Sequence, residues 1–93
     1  MPVSVPKNHM LHPGKILEEI YMKDHGYNQS SLAEAIGCTH KKINEIVNGK
    51  RGISPSFALQ LSDLFSTTPE LWIRLQADYD LFQEKKKQQK TAM

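Results

Sequence analysis

The sequence predicts an all-α fold of five helices, the last one extended. Three observations predict it. Apolar residues recur at three- and four-residue spacing, and no stretch alternates with the two-residue period of a strand. Capping residues precede the periodic segments and glycine follows several of them. The central stretch NQSSLAEAIGCTHKKINEIVNGKR, residues 28–51, divides at Gly37 into two segments too short to be stable helices alone.

A chain of 93 residues suits one small domain with a thin core. Residues 1–11, MPVSVPKNHML, read as a flexible tail with two prolines and no periodicity. Residues 12–84 form the folded domain. Residues 85–93 read as a basic, frayed end carrying Lys85, Lys86, Lys87 and Lys90.

The first helix starts at Pro13, since proline suits a first turn. Ile16, Leu17, Ile20 and Tyr21 give it an apolar stripe, and Gly26 stops it. Asn28 caps a second helix, which buries Leu32, Ala33 and Ile36 and ends at Gly37. Thr39 caps a third, with Ile43, Ile46 and Val47 inward and Gly49 at its end. Ser54-Pro55 opens a fourth, lined by Ala58, Leu61, Leu64 and Phe65. Thr68-Pro69-Glu70 opens the fifth in the same way, its acid suited to the helix dipole. Trp72, Leu75, Tyr79 and Phe82 follow 3-4-3 spacing there, with Leu71 and Leu81 off that line. Apolar residues on more than one side need more than one surface to bury them.

The second and third helices, joined by a tight glycine turn, make a helix-turn-helix. Such a pair holds its second helix out as a rod that fits the DNA major groove. The charge pattern supports this. Residues 38–56 carry Lys41, Lys42, Lys50 and Arg51 against one acid, Glu45. His40, Lys41, Asn44 and Glu45 are the candidates for base contacts. Lys41 can donate to guanine and Asn44 to adenine, while Glu45 can accept from cytosine. Gln29 and Ser30 sit at the start of the second helix, where free amides attract phosphate. Thr39, Lys42, Lys50 and Arg51 complete the candidate phosphate set.

Beyond the motif, LAEAIG followed by KKINEIVNGKR resembles the phage-repressor, lambda-repressor-like helix-turn-helix family. HPGKIL, ISPSFALQLSDLF and TPELWIRLQADYDL narrow that resemblance to the HigA antitoxins, a group that includes virulence-associated protein I. The match spans residues 10–82. The resemblance implies a cytoplasmic bacterial antitoxin, a homodimer on an inverted-repeat operator upstream of its own operon. It also implies a HigB toxin partner, a RelE-like endoribonuclease that cleaves mRNA. In that family the C-terminal helix contributes to the dimer, so Trp72, Leu75, Tyr79 and Phe82 are candidates for a dimer or partner surface. One departure stands out: the family often has glycine where this chain has Ser66.

Plainer readings compete at several positions. The lysines on the third helix can be a solvated face, though Lys50 and Arg51 just beyond its end favour DNA. Glu45 either reads cytosine or pairs with Lys41 or Lys42 along the helix. Asn48 reads as a helix-end residue. Trp72 and Tyr79 are core or contact surface. Four histidines (His9, His12, His25, His40) and Cys38 lack metal-ligand spacing, so no metal or other cofactor is expected. Cys38 suits a small buried hydrophobe, and His12 a local structural role. No nucleophile–base set or glycine-rich phosphate loop supports an enzyme. The lone cysteine fits a reducing cytoplasm, and no apolar run is long enough for a membrane span. Asp63, Glu70, Asp78 and Asp80 would suit a basic ribonuclease partner. The competing function is a stand-alone transcriptional regulator without a toxin.

Overall fold

The structure is a computed structural model that describes the backbone of residues 10–91 and the side chains of residues 10–88. Residues 1–9, most of the expected tail together with His9, lie outside the described residues. Among the described residues there are five α-helices and no strand. They are α1 (Pro13–Ile16), α2 (Gln29–Ile36), α3 (His40–Val47), α4 (Pro55–Phe65) and α5 (Pro69–Thr91). No helix is long and apolar enough to cross a membrane among the residues described.

The predicted start signals act locally, as capping physics requires. Asn28 Oδ1 accepts from the Ser31 amide at 2.8 Å, and Ser31 Oγ accepts from the Asn28 amide at 2.9 Å, a reciprocal capping box. Thr39 caps α3 through the Lys42 amide at 3.1 Å, and Ser54 caps α4 through the Phe57 amide at 3.2 Å. Gly37 takes a left-handed conformation, φ 87°, which lets the chain turn sharply between α2 and α3. Ser66 adopts the same left-handed region at φ 55° to end α4. The departure from glycine therefore leaves the turn in place and strains it.

The first helix differs from expectation. After α1 the backbone continues as a π-helical segment, Leu17–Met22. One wider turn brings residues five apart onto one side. Leu17 and Met22 are accordingly buried, whereas Ile20, expected in the stripe, is exposed. Tyr21 lies between, its ring 4.9 Å from Trp72 and 5.5 Å from Phe65.

The core gathers Leu17, Leu32, Ile43, Ile46, Phe57, Leu61 and Trp72 from the π-helical segment and from α2, α3, α4 and α5. α1 crosses α3 at very close range. A Cβ on Gly14 would collide with the Ile46 carbonyl, so only glycine fits at that crossing. This is the physical content of the HPG motif: His12 Nδ1 accepts from the Gly14 amide at 2.9 Å, Pro13 opens the helix and Gly14 makes the approach. The molecule measures 47 × 28 × 23 Å along its principal axes, and α5, at 23 residues, is its longest helix. The helix continues to Thr91, so the backbone of residues 85–91 is helical.

Candidate nucleic-acid interface

Side-chain placement divides the candidate site. His40, Lys41 and Asn44 are exposed on α3, as the α2–α3 packing demands once Ile43, Ile46 and Val47 face inward. Ser30 and Thr39 are exposed as well, beside the start of α2 and at the cap of α3. Gln29 is partly buried and does not stand alone: its Oε1 accepts from Asn44 Nδ2 at 3.0 Å. The candidate phosphate contact and the candidate adenine reader are thus joined across the two helices. That bond occupies one Asn44 N–H; the side chain carries a second N–H and the Oδ1 acceptor besides.

Lys42 is partly buried, with Nζ 4.9 Å over the Phe57 ring. The ring face attracts the cation and fixes the side chain against α4. Glu45 does not pair along the helix as expected. Its Oε1 stands 3.0 Å from Arg51 Nη2, beyond the helix, and not beside Lys41 or Lys42. The same oxygen is buried and lies off hydrogen-bonding geometry, so the attraction is chiefly charge to charge. Arg51 and Lys50 remain exposed, and the Lys50 amide donates to the Glu45 carbonyl at 2.8 Å. Asn48 ends α3 and reads as a helix-end residue.

The expected contact surface on α5 also divides. Trp72 is fully buried, and its Nε1 donates to Thr67 Oγ1 at 2.8 Å. It belongs to the core, because α4 and Tyr21 already enclose it, and it cannot face a partner. Tyr79 is half-buried with its ring edge-on to His12 at 4.9 Å. Leu75 and Phe82 are half-buried, and Ile73 and Leu81 are exposed beside them. Among the described residues no group of three or more His, Cys, Asp or Glu side chains gathers to hold a metal.

Sequence reasoning missed Gln76. It sits within the apolar line of α5 and reaches the loop after α3, where its Oε1 accepts from the Ile53 amide at 2.9 Å. A single amide side chain inside an apolar helix face was the available signal. His12 has more than a local role as well: it lies against Gly49 at the end of α3 and against Tyr79 on α5. Burial lowers its pKa below the ordinary 6.5, and the carboxylate of Asp80 partly opposes this.

The chain matches the helix-turn-helix family over residues 19–72. It is 40% identical over 83 residues to virulence-associated protein I of Dichelobacter nodosus, covering 87% of this chain and 77% of that protein. Among solved structures, antitoxin GraA in complex with its operator is 36% identical, with a TM-score of 0.80 over 95% of this chain and 91% of that one. The Pseudomonas aeruginosa antitoxin HigA, solved with the higBA promoter, is 30% identical, with a TM-score of 0.85 over 90% of this chain and 91% of that one.

Proposed function

We propose that this chain, which belongs to the helix-turn-helix family and within it to the group of virulence-associated protein I and the HigA antitoxins, is the DNA-binding antitoxin and autorepressor of a toxin–antitoxin pair. One observation carries the reading: α3 presents His40, Lys41 and Asn44 outward on a fold shared with relatives solved on operator and promoter DNA. The first turn of α3 enters the major groove, where Lys41 and Asn44 meet base edges. Ser30, Thr39, Lys50 and Arg51 meet the flanking phosphates, which supplies affinity without sequence information. The chain acts as a homodimer, so its operator is an inverted repeat with half-sites ~34 Å apart or a multiple of that.

Its protein partner is a small RelE-like mRNA endoribonuclease of the HigB type. The exposed acids Asp63, Glu70 and Asp78 offer such a basic enzyme a complementary field. The decisive experiment is co-expression of the tagged chain with the small reading frame beside its gene. Retention of an untagged partner, together with growth arrest when that partner is expressed alone, is the expected result. A chain that binds its upstream DNA but retains no toxic neighbour would be a stand-alone regulator.

A further inference from the structure

The loop at residues 49–54 leaves α3, carries Lys50 and Arg51, and leads into α4. It borders a cleft of about 500 Å³ whose far wall is His12, Gln76, Tyr79 and Asp80. Gln76 bridges this cleft to the loop. Its Oε1 accepts from the Ile53 amide at 2.9 Å, and its Nε2 donates to Asp80 Oδ1 at 2.9 Å. The second bond fixes which way the amide faces, and so presents the oxygen to the loop. Gly52 lies flat against it: a Cβ there would stand 3.1 Å from Gln76 Cδ. The near end of the loop rests on His12, 3.6 Å from where a Gly49 Cβ would be.

We propose that Gln76 is a positioning residue for phosphate contact, holding the 49–54 loop so that Lys50 and Arg51 face the duplex backbone. Gln76 itself touches no DNA. The proposal rests on the DNA-binding reading of α3 and its loop. Ile53 is buried, so its N–H needs a partner, and the partner comes from α5 rather than from the loop's own backbone. Without that acceptor the loop is free to move. A cation on a moving loop meets the phosphate only part of the time, so its contact, and the counterion release that comes with it, is partly lost.

The test is the salt dependence of duplex binding by the full chain, on random-sequence DNA and on the DNA upstream of its gene. On B-DNA, log K falls with log salt at a slope of about −0.9 per phosphate neutralised. Gln76→Ala is expected to weaken binding to both duplexes roughly tenfold and to flatten the slope by about one. In a Lys50→Ala/Arg51→Ala background the same change should add less than about twofold, since coupled residues are not additive. Gln76→Glu combined with Asp80→Asn keeps net charge, the acceptor for Ile53 and a reversed second bond, and should restore both affinity and slope. A loss of affinity with an unchanged slope, equal in both backgrounds, would leave Gln76 a merely structural residue and overturn the proposal. So would wild-type binding by Gln76→Ala. A wild-type chain without salt-dependent binding to either duplex would overturn the DNA-binding reading first, before any variant is compared.

Discussion

The two ends of α3 are built on opposite terms. Its first turn is capped by its own neighbour, Thr39, and projects His40 and Lys41 with little to restrain them. Its far end is held from three sides. Glu45 stands against Arg51, His12 lies under Gly49, and Gln76 holds Ile53. On the proposed DNA-binding reading, the difference assigns work to each element. Side chains that discriminate bases need reach and room to adjust, so a local cap suffices. Cations that meet phosphates must be delivered at a fixed spacing, and this requires support from distant helices. α1 and α5 are therefore part of the far end of α3, though neither belongs to the helix-turn-helix.

The largest expected effect comes from breaking that support at its narrowest point. Gly14→Ala puts a methyl group on the Ile46 carbonyl, and two backbones must move apart to admit it. Overpacking of this kind costs about 3 kcal/mol. Chemical denaturation should show that loss, while Gly26→Ala, at an open turn, should cost less. The sequence places Gly14 in a first turn but does not show why it must be glycine, because the partner that excludes a side chain, Ile46, is some thirty residues away. The caps, by contrast, were legible, since Asn28, Thr39 and Ser54 bond within three residues of themselves. Contacts beyond the reach of a cap decided several points the sequence left open: Glu45 with Arg51, Gln29 with Asn44, and the burial of Trp72. The π-helical segment was hidden for another reason. Its apolar pattern fits a 3.6-residue period well enough that Ile20 was expected inside.

The second effect separates the two ends by what they read. Lys41→Ala should weaken binding to the upstream operator by about 1–3 kcal/mol and change random-sequence binding less. Arg51→Ala should weaken both and reduce the salt slope by about one. Fluorescence titration on both duplexes across salt measures the contrast. Equal losses in both variants on both duplexes would remove Lys41 from the base readers and erase the distinction between the ends.

A smaller effect concerns His12, which supports the far end through Gly49 and caps α1 through Nδ1. Burial holds its folded-state pKa below the unfolded 6.5. Between those two values the unfolded chain binds more protons than the folded one, so stability rises with pH. The contribution is complete above about pH 6.5 and is lost as pH falls through the folded value. Protonation also removes the lone pair that accepts from Gly14. His12→Asn keeps a capping acceptor without the titration, and should flatten this part of the stability profile. His12→Ala should cost about 1 kcal/mol at neutral pH through the lost cap. An unchanged profile in His12→Asn would assign the acid sensitivity to other groups.

The smallest effect tests stability apart from the interface. Ser66 is exposed, lies between α4 and α5, and holds φ 55°. A residue with a Cβ pays about 1–2 kcal/mol for the left-handed conformation. Glycine avoids that strain but gives the unfolded chain more freedom to lose, which offsets roughly half of it. Ser66→Gly should therefore raise stability by about 0.5–1 kcal/mol, read as a higher denaturation midpoint at unchanged slope. The residue touches neither end of α3, so DNA affinity and its salt slope should stay at wild-type values. If Ser66→Gly altered the slope, the turn after α4 would be setting the position of α5, and through Gln76 the loop that carries Lys50 and Arg51. The support of the far end would then begin one turn earlier in the chain than the contacts of α5 alone imply.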